Sequence, residues 1–143
     1  MKSGEKIVFD AWAILALILK EEPAAAIVKE ILETANTDQS KIFISWINIG
    51  EVYYSIGKGE GLHAADEVLD AIQLLPLTME VPSRADILDA ARLKTMHRIS
   101  YADAFAVSLT LKINGTICTG DPEIISLKKV VKVRPLSRKT KPV

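Results

Sequence analysis

Short apolar runs alternate with longer amphipathic stretches along the whole chain. Residues 6–10, Lys-Ile-Val-Phe-Asp, predict a buried strand that ends on an acid, and residues 11–20 predict a helix packed on it. Pro23 suits the first position of a second helix reaching about residue 35, with Ile27, Val28, Ile31 and Leu32 as its inner face. A turn at 36–40 precedes a strand at 41–45 and a helix at 46–55. Gly57, Gly59 and Gly61 read as a flexible joint. A helix at 63–74, a short strand within 75–81, and a helix at 82–98 follow, the last with Ile87, Leu88, Ala91 and Leu93 inward. Ser100 caps a helix at 101–113; then come a strand at 116–119, a short helix at 122–128 and a strand at 130–136.

Strands that alternate with helices build a mostly parallel central sheet flanked by helices on both faces, an α/β three-layer fold. No repeat, low-complexity tract or linker interrupts it. Residues 1–143 therefore read as one domain, loose only in a basic tail over about 137–143.

In open sheets of this kind ligands gather outside the carboxyl ends of the strands. Asp10 ends the first strand, and Asp121 closely follows the strand at 116–119, so topology alone puts two acids on one edge. Each has an ordinary structural use: Asp10 as a helix N-cap, Asp121 before Pro122 as a helix start, and Asp103 as the acid of a capping box with Ser100. Glu51 is different. It lies in Trp46-Ile47-Asn48-Ile49-Gly50-Glu51-Val52-Tyr53-Tyr54, where a carboxylate is partly buried or faces a cleft and must be paired, protonated or metal-bound. Crowded carboxylates repel and raise one another's pKa values, and a divalent cation reverses that field. All-oxygen ligation suits Mg²⁺ or Mn²⁺. With no His or Cys cluster, zinc is disfavoured, and His63 and His97 read as surface residues.

Composition narrows the chemistry further. Aromatics make up 6% of the chain, which argues against a platform of bases stacked on exposed rings. Cys118 is the single cysteine, in a strand, and reads as an inert core thiol. Lys2 and Lys6 before the apolar residues 11–19 loosely imitate a signal peptide, but Asp10 interrupts the run and Lys20-Glu21-Glu22 closes it. The run is too short to span a bilayer, so the expectation is a cytoplasmic chain without membrane contact. The net charge of zero hides an asymmetry. Seven of the 18 basic residues lie from Lys128 onward with no acid among them, leaving 11 basic against 18 acidic residues upstream. An acidic body suits cations; the basic end suits RNA phosphate or an acidic partner segment.

Four segments in order resemble the PIN-domain family, and among its members the VapC-type toxins of prokaryotic toxin–antitoxin pairs. These are Ile7-Val8-Phe9-Asp10 followed by Leu15-Ala16-Leu17, then Asn48-Ile49-Gly50-Glu51-Val52, Ser100-Tyr101-Ala102-Asp103-Ala104-Phe105-Ala106, and Thr116-Ile117-Cys118-Thr119-Gly120-Asp121-Pro122-Glu123. The resemblance spans residues 7 to about 136. It implies a Rossmann-like PIN fold and an endoribonuclease that uses Mg²⁺ or Mn²⁺ to hydrolyse RNA phosphodiester bonds. It carries the metal-ligand and catalytic role onto Asp10, Glu51, Asp103 and Asp121. Thr119 falls beside the site, where its hydroxyl is expected to contact a water or a substrate phosphate. A homodimer and a VapB-like antitoxin laid over the acidic site are also implied. Family members often carry a small hydroxyl residue two places after the first acid; here that position is Trp12, expected in the core or an interface.

Other readings fit less well. A receiver domain needs adjacent acids after its first strand, and Ala11 follows Asp10; a phosphatase with an Asp-x-Asp nucleophile fails at Trp12. No Ser–His or Cys–His pair suggests a covalent intermediate. A non-toxin PIN nuclease of RNA processing, or a non-catalytic RNA- or partner-binding module, remain as alternatives. The sequence leaves open which RNA is cut and how many metal ions take part.

Overall fold

The computed structural model describes residues 4–139, with backbone alone at Asn36 and Asp38. Its elements are β1 (Lys6–Phe9), α1 (Ala11–Ile18), α2 (Ala24–Asp38), β2 (Lys41–Ser45), α3 (Trp46–Glu60), α4 (Leu62–Gln73), β3 (Thr78–Glu80), α5 (Arg84–Met96), α6 (Tyr101–Ile113), β4 (Thr116–Thr119), α7 (Pro122–Ile125) and β5 (Val133–Pro135). The strands form one five-stranded sheet in the order β3-β2-β1-β4-β5. Every pairing is parallel, with Ile7 opposite both Ile42 and Thr116.

Alternation along the strands divides the core in two. Ile7, Phe9, Ile42, Ile44 and Cys118 point to one face and pack with α1, α2, α3 and α4. Val8 and Ile117 point to the other and pack with α5, α6 and α7. The result is the expected three-layer arrangement. No helix among the described residues is long and apolar enough to cross a membrane.

The chain runs outward from β1 through β2 to β3, then returns to place β4 on the other side of β1. The crevice between the carboxyl ends of β1 and β4 is therefore the topological switch point, where open parallel sheets bind ligands.

Several expected boundaries move for identifiable reasons. Helix α3 continues through Gly57 and Gly59 to Glu60, and only Gly61, at φ +94°, breaks it. Gly57 lies against the Leu62 and Ala65 side chains, so burial holds the helix where propensity is poor. In α5 the inward residues are Ala90 and Leu93, whereas Ile87 and Leu88 are 42% and 48% exposed. Pro23 stands just before α2. The chain from Ser137 to Lys139 is tied down: Ala24 N–H donates to Ser137 O at 3.1 Å and Lys139 N–H to Glu22 O at 2.9 Å. Residues 140–143 of the expected basic tail lie outside the described residues.

Candidate metal centre at the β1–β4 crevice

Asp10 leaves β1 and caps α1. Its Oδ1 accepts from Ala13 N–H at 3.0 Å, and its Oδ2 accepts the hydroxyl proton of Thr119 at the end of β4. The same hydroxyl accepts from Asp121 N–H at 2.9 Å. Asp121 caps α7, taking Glu123 N–H on Oδ1 at 2.8 Å. Across the crevice, Ser100 caps α6 by accepting Asp103 N–H at 3.1 Å, which sets Asp103 in the first turn with its carboxylate toward Asp121. Capping and site-building share a geometry here: the starts of α1, α6 and α7 carry Asp10, Asp103 and Asp121.

Carboxylate oxygens of Asp103, Asp121 and Glu123 all lie within 4.8 Å of one another. Asp10 and Glu51 stand outside this triplet but act on it electrostatically. Burial pushes Asp10 up to about 7, against the opposing hydrogen bonds from Thr119 and Ala13, and the charges of Asp121 and Glu51 push it further. Burial also lifts Asp103 to about 8, aided chiefly by the negative charge of Asp121. Glu51, half-buried on α3, is raised by burial and by Asp121, while its hydrogen bond from Asn48 opposes the shift. Three carboxyls raised by burial and by their acidic neighbours make a field that a cation would offset. The donor set is all oxygen, which fits Mg²⁺ or Mn²⁺.

Asn48 ties the second acid to the third. It is fully buried, and its Nδ2 donates to Glu51 Oε1 and to Ala102 O on α6, both at 3.1 Å. Its buried Oδ1 has no partner among the described residues, and such an orphan beside acids is a common place for a water or ion.

Of the residues singled out in the sequence, Asp10, Glu51, Asp103, Thr119 and Asp121 all reach this one edge. Glu123 is the addition. In the sequence it is an ordinary first-turn Glu, and what ties it to the site is its N–H, which donates to Asp121 Oδ1. Thr119 has contacts other than those expected. It is fully buried, and its hydroxyl donates to Asp10 and accepts from Asp121 N–H. Asn48 carried no signal beyond its place three residues before Glu51. Trp12 packs its indole against Gly120, the residue between Thr119 and Asp121. A Cβ on Gly120 would sit 2.2 Å from Trp12 Cζ2, so only glycine fits beneath the indole. The Arg138 guanidinium lies 5.3 Å from the Trp12 ring centroid and pairs with Glu21 at 2.9 Å. Elsewhere, exposed His63 pairs with Glu67, and burial pushes the Cys118 thiol up to about 12, leaving it unreactive.

Comparison with known proteins bears on the fold and the family. No curated protein matches the sequence. Among solved structures, the Mycobacterium tuberculosis toxin VapC20, described as cleaving the sarcin–ricin loop, superposes with a TM-score of 0.71 at 18% identity, over 90% of this chain and 99% of that one. VapBC2 from Rickettsia felis, bound to a DNA fragment from its promoter, gives 0.70 at 14% identity, over 92% and 99%. A toxin–antitoxin complex from Klebsiella pneumoniae gives 0.60 at 17%, over 88% and 96%. At these identities the likeness is one of fold. The family model for the PIN domain matches residues 7–130, nearly the whole chain and every acid described above, and the protein belongs to the PIN-domain family.

Proposed function

We propose that the protein is a metal-dependent endoribonuclease of VapC type, with its centre at the β1–β4 crevice. The observation that carries this reading is the convergence of Asp103, Asp121 and Glu123 within 4.8 Å, beside Asp10 and Glu51, on a PIN fold. Asp10, Glu51, Asp103 and Asp121 are the candidate ligands, joined by Glu123, and Asn48 holds the Glu51 carboxylate in place. A divalent cation at such a site supplies positive charge against the transferring phosphate and acidifies water. The chain's own part is to orient. Thr119 aligns Asp10 with Asp121, Ser100 sets Asp103, and Trp12 fixes the Gly120 backbone on which Asp121 depends. The raised values of Asp10 and Asp103 mean that the free site carries protons near neutral pH which a cation must displace.

The toxin assignment draws on the solved structures, several of which are VapC toxins or VapBC complexes. Under this reading the partners are an RNA substrate, a VapB-like antitoxin and a second copy of the chain. A groove lined by Ile14, Leu17, Ile18, Val68 and Leu75 offers an almost wholly apolar seat between α1 and α4 for an antitoxin segment. A solitary PIN nuclease of RNA processing would lack that partner, and a short upstream reading frame separates the two.

The direct test is incubation of labelled RNA with the purified protein in Mg²⁺ or Mn²⁺. Internal cleavage that stops on adding EDTA is expected. RNA left intact in both metals would contradict the proposal.

A further inference from the structure

The segment between α5 and α6, residues 97–100, separates the acidic crevice from a second open space. On the crevice side Ser100 holds Asp103. On the other side lies a cleft of about 630 Å³ whose lining includes Lys94, His97, Arg98, Ser100 and Glu123. Glu123 belongs to both, because its carboxylate is also one of the three crowded acids. Glu123 thus borders both the acid cluster and the cleft.

Its cations are available. Lys94 Nζ donates one hydrogen bond, to Ile99 O at 3.0 Å, which leaves two N–H groups free and pins the ammonium at the cleft wall. Arg98 is exposed and makes no hydrogen bond or ion pair among the described residues. None of the ion pairs among those residues involves Lys94, His97 or Arg98.

A polyanion at the acidic crevice faces an electrostatic problem. A bound cation offsets the acids at one phosphate, but the neighbouring phosphates of the strand meet Asp10, Glu51, Asp103, Asp121 and Glu123 unscreened. Two cations at the exit of the crevice relieve that repulsion where the strand leaves. We propose that the α5–α6 cleft is a phosphate-binding subsite, in which Arg98 and Lys94 hold the RNA backbone beside the cleaved position. The inference rests on the ribonuclease reading above and names the path its substrate takes.

The test measures binding, so it does not depend on turnover. Fluorescence anisotropy of a short labelled single-stranded RNA is followed with the full chain in Mg²⁺ across a range of NaCl concentrations. Arg98→Gln, whose side chain holds nothing in place, is the first variant; the Arg98→Gln/Lys94→Gln double variant is the second. The double variant should raise Kd at least tenfold and flatten the slope of log Kd against log salt by about 1.4, the value for two single-strand phosphate contacts. Lys29→Gln, on an exposed i,i+4 pair with Glu33 far along α2, should leave both unchanged. Wild-type Kd and slope in both cleft variants, an equal loss in Lys29→Gln, or a wild type that binds an acidic peptide and no RNA would each overturn the inference. If the wild type cleaves RNA while the cleft variants bind normally, the subsite alone fails. If RNA binds through the cleft and is never cut, the nuclease reading alone fails.

Discussion

Thr119 donates its hydroxyl proton to Asp10 and accepts the backbone N–H of Asp121, so one buried side chain joins the end of β1 to the acid that follows β4. The two strands are neighbours at the switch point, and this bridge fixes the spacing of the acids that leave them. Thr119→Val keeps the shape and removes both bonds. Leaving a carboxylate oxygen and an N–H unpaired should cost about 1–3 kcal/mol, read by chemical denaturation. Loss of the hydroxyl also lifts Asp10 further, so the pH at which RNA cleavage begins should move upward. Thr119→Ser should recover most of both effects.

The metal-free protein should be more stable in mild acid than in mild base. Asp10 and Asp103 are raised to about 7 and about 8 from an ordinary 3.8, so between roughly pH 4 and 8 the folded state binds more protons than the unfolded one. Stability is then full below the unfolded values and declines as pH climbs through the folded ones. In EDTA, Tm at pH 5.5 should exceed Tm at pH 8. Added Mn²⁺ should reverse the order, since cation binding is favoured once the acids are deprotonated. A Tm in EDTA that rises from pH 5.5 to 8 would count against burial as the source of the shifts.

Trp12 and Gly120 should behave as a coupled pair. Gly120→Ala drives a methyl into the indole and should destabilise by about 1–3 kcal/mol. Trp12→Ala opens the space but removes a half-buried ring and the surface on which Arg138 stacks. In the double variant the clash is gone, so its loss should be smaller than the two single losses added, by at least about 0.5 kcal/mol. Strict additivity in thermal melts would show that the contact is slack.

What could be read in advance divides along physical lines. Each strand that forms the switch point is a run of β-branched and apolar residues, and these were legible, as were the helices with apolar stripes such as Val28-Ile31-Leu32. Helix α5 departs from its pattern at Ile87 and Leu88 because its apolar residues outnumber its buried face, which is formed by small Ala90 with Leu93. Gly57 and Gly59 read as a break because propensity is local, whereas their helix is held by packing against α4. The acids Asp10, Glu51, Asp103 and Asp121 stood out because each breaks a pattern, at a strand end or within an apolar helix. Glu123 did not, since a first-turn Glu is what any helix start favours. The bond from Thr119 to Asp10 joins residues 109 positions apart, which no local pattern reports.

Single-turnover cleavage of labelled RNA by wild type and Asp121→Asn, each across a titration of Mn²⁺ from EDTA upward, tests the central claim most directly. Asp121 lies in the crowded triplet and raises the pKa values of Asp10, Glu51 and Asp103. Wild type should show no cleavage in EDTA and a rate that saturates with Mn²⁺. Asp121→Asn should be inactive, or should need at least tenfold more metal to approach a much lower rate. Equal rates for the two proteins, or cleavage that persists in EDTA, would contradict the assignment of this crevice as the metal-dependent catalytic centre.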